Sequence, residues 1–110
     1  MTFIRDRKKG KVGTSWVAVN FDPVKPGRFQ EIKNLSVYNA HSSQTLDIYI
    51  GINAVGAFRR YYYKGSLAAG DVYQIPNPLY LTDSDNIRVM LKGSGANTDY
   101  EISYHGFESQ

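Results

Sequence analysis

Between residues 84 and 107 two strict alternations of apolar and polar positions flank one small-residue turn. Ile87, Val89 and Leu91 share a face against Arg88, Met90 and Lys92. Tyr100, Ile102 and Tyr104 repeat the pattern against Glu101, Ser103 and His105. A period of two marks a half-buried antiparallel strand. Gly93, Gly95 and Asn97 tolerate positive φ, so the pattern predicts a hairpin here. Gln44 to Asn53 alternates as cleanly, with Leu46, Ile48, Ile50 and Ile52 against Asp47, Tyr49 and Gly51, and reads as a central strand.

Weaker strand signals fill the rest. Thr14 to Phe21 sets Val17, Val19 and Phe21 opposite Trp16 and Ala18, and two prolines between Asp22 and Gly27 then forbid regular pairing. Arg28 to Ala40 is long for one strand. Leu35, Val37 and Asn39 hold one face, and the polar Glu31 and Lys33 in the same register predict a bulge or an exposed first half. Val55-Gly56 closes a short connection into Phe58 to Lys64, where Phe58, Arg60 and Tyr62 alternate with Arg59, Tyr61 and Tyr63. A turn from Gly65 to Gly70, a strand from Asp71 to Ile75 and another from Leu79 to Thr82 follow. No stretch carries a helical repeat beyond one turn. Short strands between Gly, Pro and Asn clusters predict an all-β fold, an antiparallel β-sandwich, jelly-roll-like, of about eight strands.

Length and composition narrow this further. The chain has 110 residues, enough for one core. Its aromatic content of 14% and 42% hydrophobic residues exclude a disordered chain. With no cysteine there is no disulfide, thiolate zinc site or cysteine nucleophile, which fits synthesis in a reducing cytoplasm. No signal-like segment and no membrane-length apolar run occurs, so a soluble protein without a membrane partner is expected. Charge is uneven: Arg5, Arg7, Lys8, Lys9 and Lys11 face only Asp6 in residues 1–11, while the remainder is nearly neutral. Residues 1–13 therefore read as a basic amino-terminal arm, broken from the body at Lys9 to Gly13, with residues 14–110 as the single sandwich domain. The arm suits phosphates or an acidic partner surface, or is a solvated terminus. Having no stacking aromatic beyond Phe3, it disfavours nucleic acid.

The chemistry-bearing residues are sparse. His41 lies in a polar loop and His105 on a polar strand face, neither in metal-ligand spacing. Thr82 to Asn86 resembles a fragment of a calcium loop but lacks its distal bidentate Glu, so a tight turn is the better reading. No serine has a nucleophile-elbow context, and no helix follows Gly93-Ser94-Gly95 to hold a phosphate. No catalytic residue, metal or cofactor is assigned, and no enzyme activity is expected. The distinctive cluster is the run from Phe58 to Tyr63. Arg59, Tyr61 and Tyr63 share one row whose residue types suit protein interfaces, while a tyrosine-rich face covered by a loop, or a surface for carbohydrate or nucleic acid, remain open.

The run GSLAAGDVYQIPNPLYLTDSDNIRVMLKGSGANTDYEISYHGFE, preceded by IKNLSVYNAHSSQTLDIYIGI, resembles small β-sandwich virion proteins of tailed bacteriophages over residues 28 to 108. The likeness lies in strand grammar: a small-residue turn, a strand, an aspartate turn into Ile-Arg-Val, a glycine turn, and a closing Ile-Ser-Tyr strand. It implies a non-enzymatic component of the virion, made in the bacterial host cytoplasm, of head decoration, head-tail joining or tail accessory type. Its partners would be capsid, neck or tail subunits and further copies of itself. The contacts would fall on Arg5, Arg7, Lys8, Lys9 and Lys11 and on Arg59, Tyr61 and Tyr63. The alternative is a recognition module that binds carbohydrate or nucleic acid through exposed Tyr and Arg.

Overall fold

A computed structural model describes residues 1–54 and 57–110, with side chains described for 1–53 and 63–110. Val55-Gly56 therefore lies outside the described residues. Among the described residues nine strands follow one another: β1 (Thr2–Val12), β2 (Val17–Asn20), β3 (Phe29–Asn39), β4 (Leu46–Ala54), β5 (Ala57–Leu67), β6 (Val72–Gln74), β7 (Leu79–Leu81), β8 (Asp85–Gly93) and β9 (Thr98–Ser109). Sheet A runs β1-β9-β3-β6, with β7 also on β3, and sheet B runs β2-β8-β4-β5. All pairs are antiparallel. With β6 and β7 taken as one interrupted strand, this is the eight-strand jelly roll that the alternation predicts.

The alternating residues meet as their period requires. Leu46, Ile48, Ile50 and Ile52 of β4 and Ile87, Val89 and Leu91 of β8 are buried from sheet B, facing Ile32, Leu35, Val37 and Ile102 of sheet A. The hairpin expected over residues 84–107 does not form. β8 pairs with β2 and β4, whereas β9 pairs with β1 and β3, so the turn between them crosses the sandwich. Side by side in one sheet, both alternations would bare their apolar faces in the same direction. On opposite sheets each covers the other. The crossing turn is held from outside itself: the Gly93 amide donates to the Gly13 carbonyl and the Ser94 amide to that of Thr45, and the Thr45 amide donates to Ser94 Oγ. Asn97 takes φ of 58° within it.

The basic segment is no separate arm. Residues 2–12 pair with β9 in unbroken register from Thr2 opposite Glu108 to Val12 opposite Thr98, so the boundary placed at residue 13 disappears. Gly10 does not break the strand because the Tyr100 ring lies across it, its hydroxyl 3.0 Å from where a Cβ would stand. The irregularity expected near Glu31 and Lys33 is a bulge between Ile32 and Asn34. Gly106 faces it, with the Glu31 carbonyl oxygen where a side chain would begin.

Asn39 closes the end where β3, β4 and β5 meet. Fully buried, it donates from Nδ2 to the Gln44 and Leu67 carbonyls and accepts the His41 amide at Oδ1. At the open side between β5 and β6, Tyr63 stacks on Tyr73 with centroids 3.7 Å apart and 17° between planes, bridging the two sheets.

Candidate functional site

Pleating sorts the β1 residues. Ile4, Asp6, Lys8, Gly10 and Val12 turn inward, and Phe3, Arg5, Arg7, Lys9 and Lys11 turn out. Four cations therefore stand in one row along the edge of sheet A, about 6.8 Å apart. Lys8, expected with them, belongs to the other face, its ammonium 5.5 Å from the centre of the Phe21 ring.

Register decides what the row faces. The outward β9 residues opposite it are Phe107, His105, Ser103, Glu101 and Asp99. Arg7 Nε pairs with Glu101 at 2.8 Å and Lys11 Nζ with Asp99 at 2.7 Å, exposed contacts worth about 0–1 kcal/mol each. Arg5 and Lys9 make no ion pair among the described residues. At the other end of the face, one row runs Phe3, Phe107, Glu31 and Tyr80 across β1, β9, β3 and β7. Phe3 packs edge-on to Phe107 at 5.9 Å and stacks on His105 at 6.2 Å. Phe3, Phe29 and Tyr80 are 55%, 51% and 61% exposed. Lys33 and the Tyr80 hydroxyl both reach the Glu31 carboxylate, each at 3.2 Å. An aromatic end thus adjoins a cationic edge on a face that no element covers among the described residues.

Behind this face the ionisable groups serve packing. Burial, aided by the negative charges of Asp6, Asp22 and Glu108, pushes the Tyr104 phenol up to about 12, keeping it neutral against Phe21, 5.0 Å away. Burial also raises Tyr100. Hydrogen bonds from Gln30 Nε2 and Arg28 Nη1, at 2.9 and 2.7 Å, hold Glu108 below the usual carboxylate range.

The second expected row behaves differently. The side chains of Arg59 and Tyr61 lie outside the described residues. Register shifts between Ile50 and Gly51 and between Ile52 and Asn53 interrupt the simple alternation expected for β5. Tyr63 is no outward contact: it pairs with the buried Ile50, packs on the core, and with Tyr73 closes the sandwich. His41 Nδ1 accepts the Ser43 and Gln44 amides, which makes it a turn former. Asp85 accepts the Thr82 amide at 2.9 Å and its hydroxyl at 3.1 Å, the tight turn read from the sequence. Among the described residues no three His, Cys, Asp or Glu side chains converge as for a metal. The aromatic row was not legible beforehand, because Phe3, Phe29 and Tyr80 come from strands whose neighbours only the topology defines.

No family model matches the chain, and no curated protein does. Among solved structures, a chain of the icosahedral infectious bursal disease virus particle aligns with TM-score 0.48 and 10% identity over 96% of this chain and 31% of its own. A second, from the Gx strain of that virus, gives 0.45 and 10% over 96% and 32%. A subunit of Bacillus endospore appendages, which form disulfide-linked pili, gives 0.40 and 10% over 96% and 88%. This chain spans about a third of the viral chains it aligns with.

Proposed function

We propose that this protein is a non-enzymatic structural component of a tailed-phage particle. It docks on other virion proteins, and on further copies of itself, through the outer face of sheet A. The observation that carries the reading is the exposed aromatic end of that face, Phe3, Phe29 and Tyr80, continuous with a cationic edge on which Arg5 and Lys9 have no ion-pair partner among the described residues. Exposed aromatics and arginine suit the centre of an interface, and unpaired cations suit an acidic partner surface. The phage resemblance over residues 28 to 108 supplies the setting.

The sheet edges support face docking over strand addition. Each edge carries one of the devices that block edge-to-edge pairing. β1 lines its rim with Lys and Arg, and the Asp6 carboxylate takes the Arg7 amide at 2.7 Å. β2 has four residues, β5 is interrupted by two register shifts, and the opposite edge of sheet A is split by Pro76 and Pro78. Two β1 strands meeting antiparallel about Lys8 would set Arg5 against Lys11 and Arg7 against Lys9. Like charges so placed repel.

The test is co-sedimentation of the purified protein with phage heads and tails lacking it, beside light-scattering mass of the protein alone. Wild type is expected to sediment with one of the two, and Arg5→Glu/Lys9→Glu to lose that binding at an unchanged melting temperature. A wild-type protein that stays monomeric and binds neither refutes the proposal.

A further inference from the structure

The outer face of sheet B gathers a different chemistry. Register lays Ala18, Met90, Tyr49 and Lys64 in one row and Lys92, Asp47 and Ser66 in the next. Trp16, just before β2, stands beside Lys92, whose ammonium lies 4.9 Å from the centre of its ring. Lys64 holds its ammonium 5.7 Å from the Tyr49 ring. Trp16, Tyr49, Lys64 and Met90 line an open hollow of about 300 Å³, the size of a small-ligand site. Asp47 sits at the rim, accepting the Ser66 hydroxyl and 3.9 Å from Lys92.

We propose that this hollow binds a neutral saccharide, its rings stacked on Trp16 and Tyr49 and its hydroxyls met by Lys64, Lys92 and Asp47. Three features select that ligand. Two aromatic rings and the Met90 floor offer flat apolar area that matches the C–H face of a sugar ring. The rim supplies both kinds of hydrogen-bonding group that hydroxyls need, ammonium donors and a carboxylate acceptor, and the flexible lysine stems let the donors swing off the rings. The rings stand on columns two strands apart, about 10 Å, so a short oligosaccharide reaches both and one ring does not. A single-stranded nucleic acid also stacks on aromatics. It would bring phosphate against Asp47, and the mixed charge of the rim disfavours it. This inference is independent of the docking proposed for sheet A, and either can fail alone.

Trp16 is the only tryptophan of the chain, so its emission reports the hollow directly. The experiment titrates the intact protein with maltose, cellobiose, lactose and chitobiose and their trimers, and with an oligothymidylate, at low and high salt. The expected result is a saturable change in Trp16 emission with at least one neutral sugar at millimolar concentration, unaffected by salt. Affinity measured by calorimetry should fall at least tenfold in Tyr49→Ala and severalfold in Lys64→Ala, two variants that check each other should either fail to fold. No saturable response to any of these sugars overturns the proposal. So does a response to the oligothymidylate alone that falls steeply with salt.

Discussion

Gly106→Ala tests the junction of β9 with the β3 bulge. Gly106 lies opposite Ile32 where the register of β3 slips, and a Cβ there would stand 2.0 Å from the Glu31 carbonyl oxygen and 2.9 Å from both the Glu31 carbonyl carbon and Ile32 Cα. All three are backbone atoms, so no rotamer change relieves the clash. Two central strands of sheet A must part by about 1 Å, stretching ladder hydrogen bonds on both sides of the bulge. Overpacking of this kind costs about 1–3 kcal/mol, and the stiff obstacle puts it near the top, about 3 kcal/mol. For a domain of this size that lowers the melting temperature by roughly 12 °C. Gly13→Ala is the control, since nothing lies within 4 Å of its Cβ position. It should change stability by less than about 0.5 kcal/mol or raise it slightly. Thermal and urea unfolding followed by circular dichroism measure both. The close-approach reasoning is refuted if Gly106→Ala melts within a degree or two of wild type, or if Gly13→Ala falls as far.

Asn39→Ala removes three hydrogen bonds, the one to Leu67 buried and the other two part-buried, and strands the Gln44 and Leu67 carbonyls, so urea unfolding should show a loss of about 3 kcal/mol. Glu108 has its pKa lowered in the folded state, so its contribution is present at neutral pH and is lost as pH falls through that value; acid melts of Glu108→Gln should lose less stability below pH ~4 than wild type. Tyr104 has the opposite sign. Its folded value of about 12 exceeds the ordinary 10.0, so the stability it supports is whole below pH 10.0 and drains away as pH rises toward 12. Tyr104→Phe should unfold less readily in alkali, read as melting temperature against pH beside wild type.

Side-chain period carried most of the fold. Ile48, Ile50, Val89 and Ile102 are buried because each occupies the one face its strand turns inward, and a period of two states that face without reference to any partner. Partner choice is not local, which is why the alternations of β8 and β9, read as a hairpin, form opposite walls of the core. The same gap hid the outer face of sheet A, on which the proposed docking rests. Arg5, Arg7, Lys9 and Lys11 were visible as a basic run, but only pairing with β9 turns four of the five cations outward and Lys8 in. Gly10 looked like a break because its neighbour Tyr100 is ninety residues away. Trp16, Tyr49, Lys64 and Lys92 carry no motif at all, and they meet only because β2, β8, β4 and β5 lie in that order.

β9 follows every other described strand in the chain yet lies at the middle of sheet A, between β1 and β3. While the ribosome is still working, β1 and β3 have nothing to hold them in line with each other, and β1 in particular must wait for residues 98–109 to emerge. Non-local pairing of this kind is slow to form. Until residues 98–109 are in place, Arg5 to Lys11 have no His105 to Asp99 to lie against, and the outer face of sheet A does not exist.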